Sequence, residues 1–192
     1  MTWLPLFKLG LWNAWILTLF MALHPLIMIL VDRFFGTGNI FKKMGEAPTE
    51  KKEKLGNTIS SILLYAILAF SLFLPLKIGT CWFYVGLSVY LIGIVIFLSA
   101  IFTAAKTPPG RIFSRGIYRY SRHPLYLSFF IIFMGVSIAS ASWLFFLLTM
   151  GWTCFPVLGI ASEEQGCLKA FGKEYQEYMD RTPRWFGYPK SG

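Results

Sequence analysis

Three groups of residues in this chain have types and spacing suited to chemistry. Arg122 and His123 stand directly before Pro124 in the stretch "SRHPLYLSFF", where a long apolar run begins. Proline is favoured at the first helical position, so a helix starting at Pro124 leaves the backbone N–H groups of Leu125 and Tyr126 directed out of its end. That end is electropositive, and Arg111, Arg115 and Arg119 precede it, so a carboxylate or phosphate is a fitting occupant. Glu163 and Glu164 supply the opposite sign at the far end of the apolar run. If the run folds back on itself, the acids return to the depth of His123. A ligand carrying both an ammonium and a carboxylate, such as an amino-acid moiety, suits such a pair. Tyr118, Tyr126 and Phe113 offer stacking surfaces for a heterocycle. Each group also has a plainer reading: arginines anchor a membrane protein at its cytosolic face, and acids favour the start of a helix.

The element that must position these residues is the run itself. Pro124 to Ser162 is 39 residues without Asp, Glu, Lys, Arg or His. As one helix it would reach about 58 Å, against a bilayer core of about 30 Å. It must cross twice, turning near "SIASAS" at Ser137 to Ser142. Further apolar stretches at Leu9–Val31, Ile59–Leu76 and Ile78–Ala105 are each long enough, or nearly so, for one crossing. The expected fold is an all-α integral membrane protein with five transmembrane helices, the last two a hairpin, plus an amphipathic C-terminal helix on the cytosolic face. One membrane domain covers residues 1–192, with spans at about 9–31, 59–76, 78–105, 124–140 and 142–162. The cytosolic regions 106–126 and 163–186 would carry the site.

Composition agrees with this class, being 56% hydrophobic and only 14% charged. The net charge of +9 is explained by topology. With five spans only Lys8 and Lys77 fall on the N-terminal side, while the other 16 of the 18 cations share the opposite face. The positive-inside rule makes that face cytosolic and puts the N-terminus outside, in a cell membrane. No nucleic-acid partner is needed to account for the basicity. The first span has no cationic leader beyond Lys8 and no small-residue cleavage site, so it is expected to stay.

Cys81, Cys154 and Cys167 are widely spaced and the histidines number two, so neither a metal site nor a disulfide framework is expected. Trp3, Trp12 and Trp15 flank the first span as interfacial aromatics. His24-Pro25 interrupts that span at membrane depth, and His24 is expected to be neutral and satisfied by a neighbouring helix. The connector Asp32–Gly56, with Lys42 and Lys43, reads as a mobile loop, and "PLKIG" at Pro75–Gly79 as a tight turn. Three prolines prevent one continuous helix between Lys106 and Pro124. In the tail, Leu168, Phe171, Tyr175, Tyr178 and Met179 recur at helical spacing.

The order "GIYRYSRHPLY", a hairpin, "EE", then "AFGKEYQEYMDRTP" resembles the isoprenylcysteine carboxyl methyltransferase family and its phospholipid methyltransferase relatives, over roughly the C-terminal half of the chain. The size and five-span pattern resemble archaeal and bacterial members. The resemblance implies an S-adenosyl-L-methionine-dependent methyltransferase, releasing S-adenosyl-L-homocysteine, with its cofactor on the cytosolic side. Cofactor contacts carried over from the family fall on Gly110, Arg111, Ile112, Phe113, Tyr118, His123, Pro124, Leu125, Tyr126 and Glu163, with Glu163 receiving the ammonium and the N–H groups near Leu125 the carboxylate. Glu164 is the nearest candidate for a catalytic base or an acceptor-orienting group. The implied acceptor is lipid-like or isoprenoid and enters from the bilayer. One departure concerns it: the prenylcysteine enzymes carry an arginine four residues before the cofactor-binding glutamate, and here that position is Gly159.

Two other readings compete. Sterol-reductase-like proteins share a similar C-terminal pattern and use reduced nicotinamide, but they need more spans than 192 residues hold. A non-catalytic scaffold binding anionic lipid through its basic loops would bind neither cofactor.

Overall fold

A computed structural model describes residues 8–35 and 51–190, so Trp3, Lys42 and Lys43 lie outside the described residues. Among the described residues the regular elements are helical: α1 (Trp15–Phe35), α2 (Lys51–Ser71), α3 (Cys81–Lys106), a 3-10 turn (Gly116–Arg119), α4 (Pro124–Ala139), α5 (Trp143–Phe171) and α6 (Lys173–Arg181). A lone antiparallel bridge joins Asn13 to Pro75. By length and composition α1, α3 and α5 can each cross a bilayer, while Thr58–Ser71 and α4 are apolar but shorter. Leucines and isoleucines remain exposed along α1 and α3, as lipid-facing helices require.

The tightest packing joins α3 to α4. A methyl added to Gly135 would lie 2.5 Å from the Tyr90 backbone nitrogen, and one on Gly93 would lie 2.8 Å from that of Ile132. At Gly86 the same methyl would fall on the Ala139 nitrogen. Small residues let helix backbones touch where lipid supplies no hydrophobic drive for association. Phe97 and Ile101 of α3, Ile132, Phe133 and Val136 of α4, and Phe145 of α5 are fully buried around this seam. On the other side α5 meets α2, where the Trp152 indole Nε1 donates to the Ser60 carbonyl at 3.1 Å.

At the end of the bundle remote from His123, loops replace the outermost helical turns that the apolar pattern suggests. The first helix begins at Trp15 and not near Leu9, because residues just before it pair with the α2–α3 connection. Ala14 N donates to Leu74 O at 2.8 Å, Leu76 N to Trp12 O at 3.0 Å, and Lys77 N to Ala139 O at 3.0 Å. Buried Asn13 ties both segments, its amide donating to Lys8 O and Leu72 O. The turn expected at Pro75–Gly79 is accordingly a longer connection from Leu72 to Thr80, where Thr80 Oγ1 caps α3 by accepting from Phe83 N.

The charge-free run is a hairpin in the structure. Ser140 caps α4, Ala141 adopts φ +50°, and Ser142 Oγ caps α5 by accepting from Phe145 N at 3.2 Å. The second leg does not stop at Ser162: α5 runs on through the glutamates to Phe171, and the helix breaks only at Gly172, whose φ of +54° suits glycine. In α1, Pro25 lacks an N–H, which leaves the Met21 carbonyl without its helical donor. His24 Nδ1 takes that carbonyl, and its ring lies edge-on to Phe97 and Phe129. The partner of this histidine is thus its own helix, with neighbouring helices contributing ring contacts.

Candidate active site

Between α3 and α4 the chain forms an open loop, as its prolines require. Gly110 turns it with φ +75°, and the 3-10 turn places Tyr118 in the interior. The Tyr118 ring packs on Phe113 with centroids 5.3 Å apart, and its carbonyl accepts from the Tyr178 hydroxyl of α6 at 2.7 Å. Tyr175 and Tyr178 form the buried face of α6, and burial pushes both phenols up from their ordinary pKa. A strap over residues 182–190 then returns across the loop. Arg122 N donates to Pro183 O at 3.0 Å, Gly187 N to Tyr120 O at 3.0 Å, and Lys190 N to Arg181 O at 2.9 Å.

Under this strap α4 begins. His123 is its N-cap and Pro124 its first residue. The first helical amide bond in this turn runs from Leu127 N to His123 O, so the N–H groups of Leu125 and Tyr126 remain at the helix end. Because α5 is antiparallel to α4, Glu163 and Glu164 arrive beside it. His123 Nε2 lies 3.1 Å from Glu164 Oε1, its Nδ1 lies 3.8 Å from Glu163 Oε2, and the Tyr126 hydroxyl donates to Glu163 Oε2 at 3.3 Å.

The two carboxylates differ in surroundings. Glu164 is 4% exposed and saturated: Arg184 donates from Nη2 to Oε2 at 2.6 Å and from Nε to Oε1 at 3.2 Å, and Arg122 Nη2 lies 3.4 Å from Oε1. A bidentate guanidinium holds it as a carboxylate, which makes His123 Nε2–H the donor in their contact. Burial holds the His123 pKa below its ordinary value; Glu164 works against that shift, and Arg122 and Arg184 add to it. The neutral ring then presents Nδ1 as an acceptor facing Glu163 Oε2. Burial, with Glu164 adding to it and the Tyr126 hydrogen bond opposing it, pushes the Glu163 carboxyl up to about 7, so a cation beside it favours the charged form. Two acceptors with 3.8 Å between them suit a cationic N–H donor. Glu163 itself is 32% exposed. Arg122 Nε is buried with no partner, an orphan donor beside the helix end. The cluster can therefore take a cation at Glu163 and an anion at the start of α4.

Of the residues singled out from the sequence, His123, Pro124, Leu125, Tyr126, Glu163 and Glu164 come together here, and Phe113 and Tyr118 form an adjoining aromatic pair. Gly110 and Arg111 sit exposed on the loop and Ile112 half-buried. Among the described residues no hydrogen bond, ion pair or ring contact links these three to the cluster. Among the described residues a Cβ built on Gly159, one turn before Glu163 on α5, meets nothing within 4 Å. Sequence reasoning missed Arg184. Its only signal is a cation placed just after Pro183, where the helix has ended and the chain can turn back.

Comparison with known proteins identifies the family. Residues 76–174, just over half of the chain, match the family model described as phospholipid methyltransferase. The matched segment takes in α3, the basic loop, the hairpin and both glutamates. A relative from Bradyrhizobium diazoefficiens, named methanethiol S-methyltransferase 1, is 36% identical over 76 residues, which is 40% of this chain. The matched part spans only 26% of that relative's own length. A charge-free hairpin that sets a Glu-Glu pair against an Arg-His-Pro helix start, within a matching segment of this extent, shows that the chain belongs to the phospholipid methyltransferase family of membrane methyltransferases.

Proposed function

We propose that the protein is an S-adenosyl-L-methionine-dependent integral membrane methyltransferase whose acceptor is apolar and reaches the site sideways from the bilayer. The observation that carries this reading is the placement of Glu163 opposite the open N-terminus of α4, with His123 Nδ1 3.8 Å from its carboxylate. The amino-acid part of the cofactor has one charge for each of these features. Glu163 holds the ammonium, the N–H groups of Leu125 and Tyr126 hold the carboxylate, and Phe113 gives the adenine an aromatic wall. Gly110, Arg111 and Ile112 complete the site from the loop, and Tyr118 backs Phe113.

When bound, the cofactor supplies an electrophilic methyl group on a sulfonium. The work of the chain is positioning and exclusion of water, since in-line approach is what such a transfer needs. Glu164, with both oxygens occupied by Arg184 and His123, serves as an orienting group for the His123 ring. The space beside Gly159 among the described residues is where the acceptor would lie next to Glu163. The basic end of the bundle faces the cytosol, because the cations of the loop and the tail crowd that end.

A second acceptor class is favoured by one observation. The relative matched over 76 residues is named for methanethiol, a small thiol. An isoprenylcysteine carboxylate and a small thiol place different demands on the chain, because a thiol must lose its proton and a carboxylate need not.

The deciding experiment is methyl transfer from radiolabelled S-adenosyl-L-methionine by purified protein in liposomes, offered a farnesylcysteine analogue, a phosphatidylethanolamine and a small thiol in parallel. Mass spectrometry of the purified protein for retained S-adenosyl-L-homocysteine accompanies it. No retained or added cofactor binding, and no labelled product, would sink the reading. Transfer to the soluble thiol alone would remove the apolar acceptor and leave the methyltransferase.

A further inference from the structure

We propose that Arg184, carried on the C-terminal strap, is a positioning residue for the candidate site: through Glu164 it fixes the His123 ring beside Glu163. Only the consequence for ligand binding rests on the cofactor reading above; the geometry stands without it. Glu164 lies in the interior, yet its bidentate partner comes from outside the helical bundle, from a side chain 46% exposed. Arg122 makes a single contact at 3.4 Å and leaves its Nε unpartnered, so it cannot fix the carboxylate plane. The fork of Arg184 engages both oxygens, and a fixed plane directs Oε1 at His123 Nε2. His123 in turn sets what faces Glu163.

The strap is seated independently of that side chain. Its backbone bonds to Arg122, Tyr120 and Arg181 use main-chain groups only. Replacement of Arg184 by methionine therefore keeps the strap's own attachments while removing the charge and the fork. The groups near His123 are Glu164 and Glu163 from α5, Tyr126 from α4, and the guanidiniums of Arg122 and Arg184. Those near Glu164 also include Cys167, Tyr175 and Tyr178. Both guanidiniums disfavour a proton on the ring. Losing one of them while Glu164 stays leaves the ring easier to protonate. A protonated Nδ1–H would then donate to Glu163 and compete with any cationic ligand for that carboxylate.

The chain has two histidines, so the ring can be followed by NMR of histidine-labelled protein in detergent, with His123→Asn identifying its signal by disappearance. The expected result is a His123 titration midpoint at higher pH in Arg184→Met, returned toward the parent in Arg184→Lys. Glu163, whose carboxyl burial pushes up to about 7, loses its charge in parent and variant alike as the pH falls, so affinity for S-adenosyl-L-homocysteine should drop in both and begin to drop at higher pH in Arg184→Met. A folded Arg184→Met that titrates like the parent overturns the proposal. So does a shift accompanied by lost amide protection at Arg122 and Gly187, because undocking of the strap would then account for it. A parent that binds no S-adenosyl-L-homocysteine defeats the cofactor reading, while the histidine titration still decides this one.

Discussion

Replacing Glu163 with Gln removes the negative charge from the candidate cation site and leaves its shape in place. Glu163 Oε2 accepts from the Tyr126 hydroxyl at 3.3 Å, and a glutamine carbonyl can do the same, so the fold should survive. The ligand's ammonium, by contrast, loses the counter-charge that Glu163 supplies, since Glu164 is held by Arg184 and His123. Truncating one partner of a buried, hydrogen-bonded charge pair costs about 2 to 5 kcal/mol. Glu163 is 32% exposed, which points to the lower part of that range, about 2 to 3 kcal/mol. At about 1.4 kcal/mol per tenfold, affinity for S-adenosyl-L-homocysteine should fall roughly thirtyfold to a hundredfold. Tyr126→Phe calibrates the measurement: it removes one hydrogen bond, worth about 1 kcal/mol, and should weaken binding roughly fivefold. The assay is calorimetry in detergent, with a thermal unfolding curve for each variant. If folded Glu163→Gln binds as the parent does, the ligand does not lie between Glu163 and the start of α4.

Glu164→Gln should show the opposite balance. Cofactor affinity should change far less than in Glu163→Gln, while stability drops by about 3 kcal/mol because Arg122 and Arg184 lose their shared anion; thermal midpoints in detergent will report it. A Gly86→Val change forces side-chain atoms into the Ala139 backbone and should lower the midpoint by more than the same change at Gly151, where a Cβ meets nothing. For orientation, single cysteines in a background lacking Cys81, Cys154 and Cys167 should react with a membrane-impermeant thiol reagent at Lys8 and not at exposed Lys173 in intact cells; labelling at Lys173 would reverse the topology.

The hairpin and the meeting of its two ends could be read in advance because both follow from arithmetic. A charge-free run too long for one crossing must return, and a return brings Glu163 and Glu164 to His123. Periodicity likewise marked Tyr175 and Tyr178 on one face of the tail, and both are buried. Helix ends were harder. Nothing in hydropathy requires α5 to break at a membrane boundary, so it continues to the residue whose backbone does break, Gly172. At the remote end, Asn13 pairs its neighbourhood with Leu72 and Leu74, a contact across some sixty positions that no local pattern announces. Arg184 was hidden for the same reason: it lies in an irregular segment, and only the fold brings it back to Glu164. The close seam at Gly86 and Gly93 was not read from the sequence, because hydropathy scores a glycine without regard to the backbone it lets approach.

The shortness of α4 has a consequence for the surrounding lipid. Its 16 residues reach about 24 Å, several ångströms less than an average hydrocarbon core of about 30 Å. Its outer end is pinned through Ala139 to Lys77, and its flank is fused to α3 at Gly86, Gly93 and Gly135, so it cannot slide to share the deficit. Under the five-span arrangement expected from the sequence, the bilayer would thin beside α4 toward the His123 end. Under the orientation proposed above, that thinning would lie in the inner leaflet next to Glu163, and its depth would be set by acyl-chain length. Under the same arrangement short-chain lipids would relieve the mismatch and long-chain lipids would deepen it, which activity measured in bilayers of stepped acyl-chain length will show.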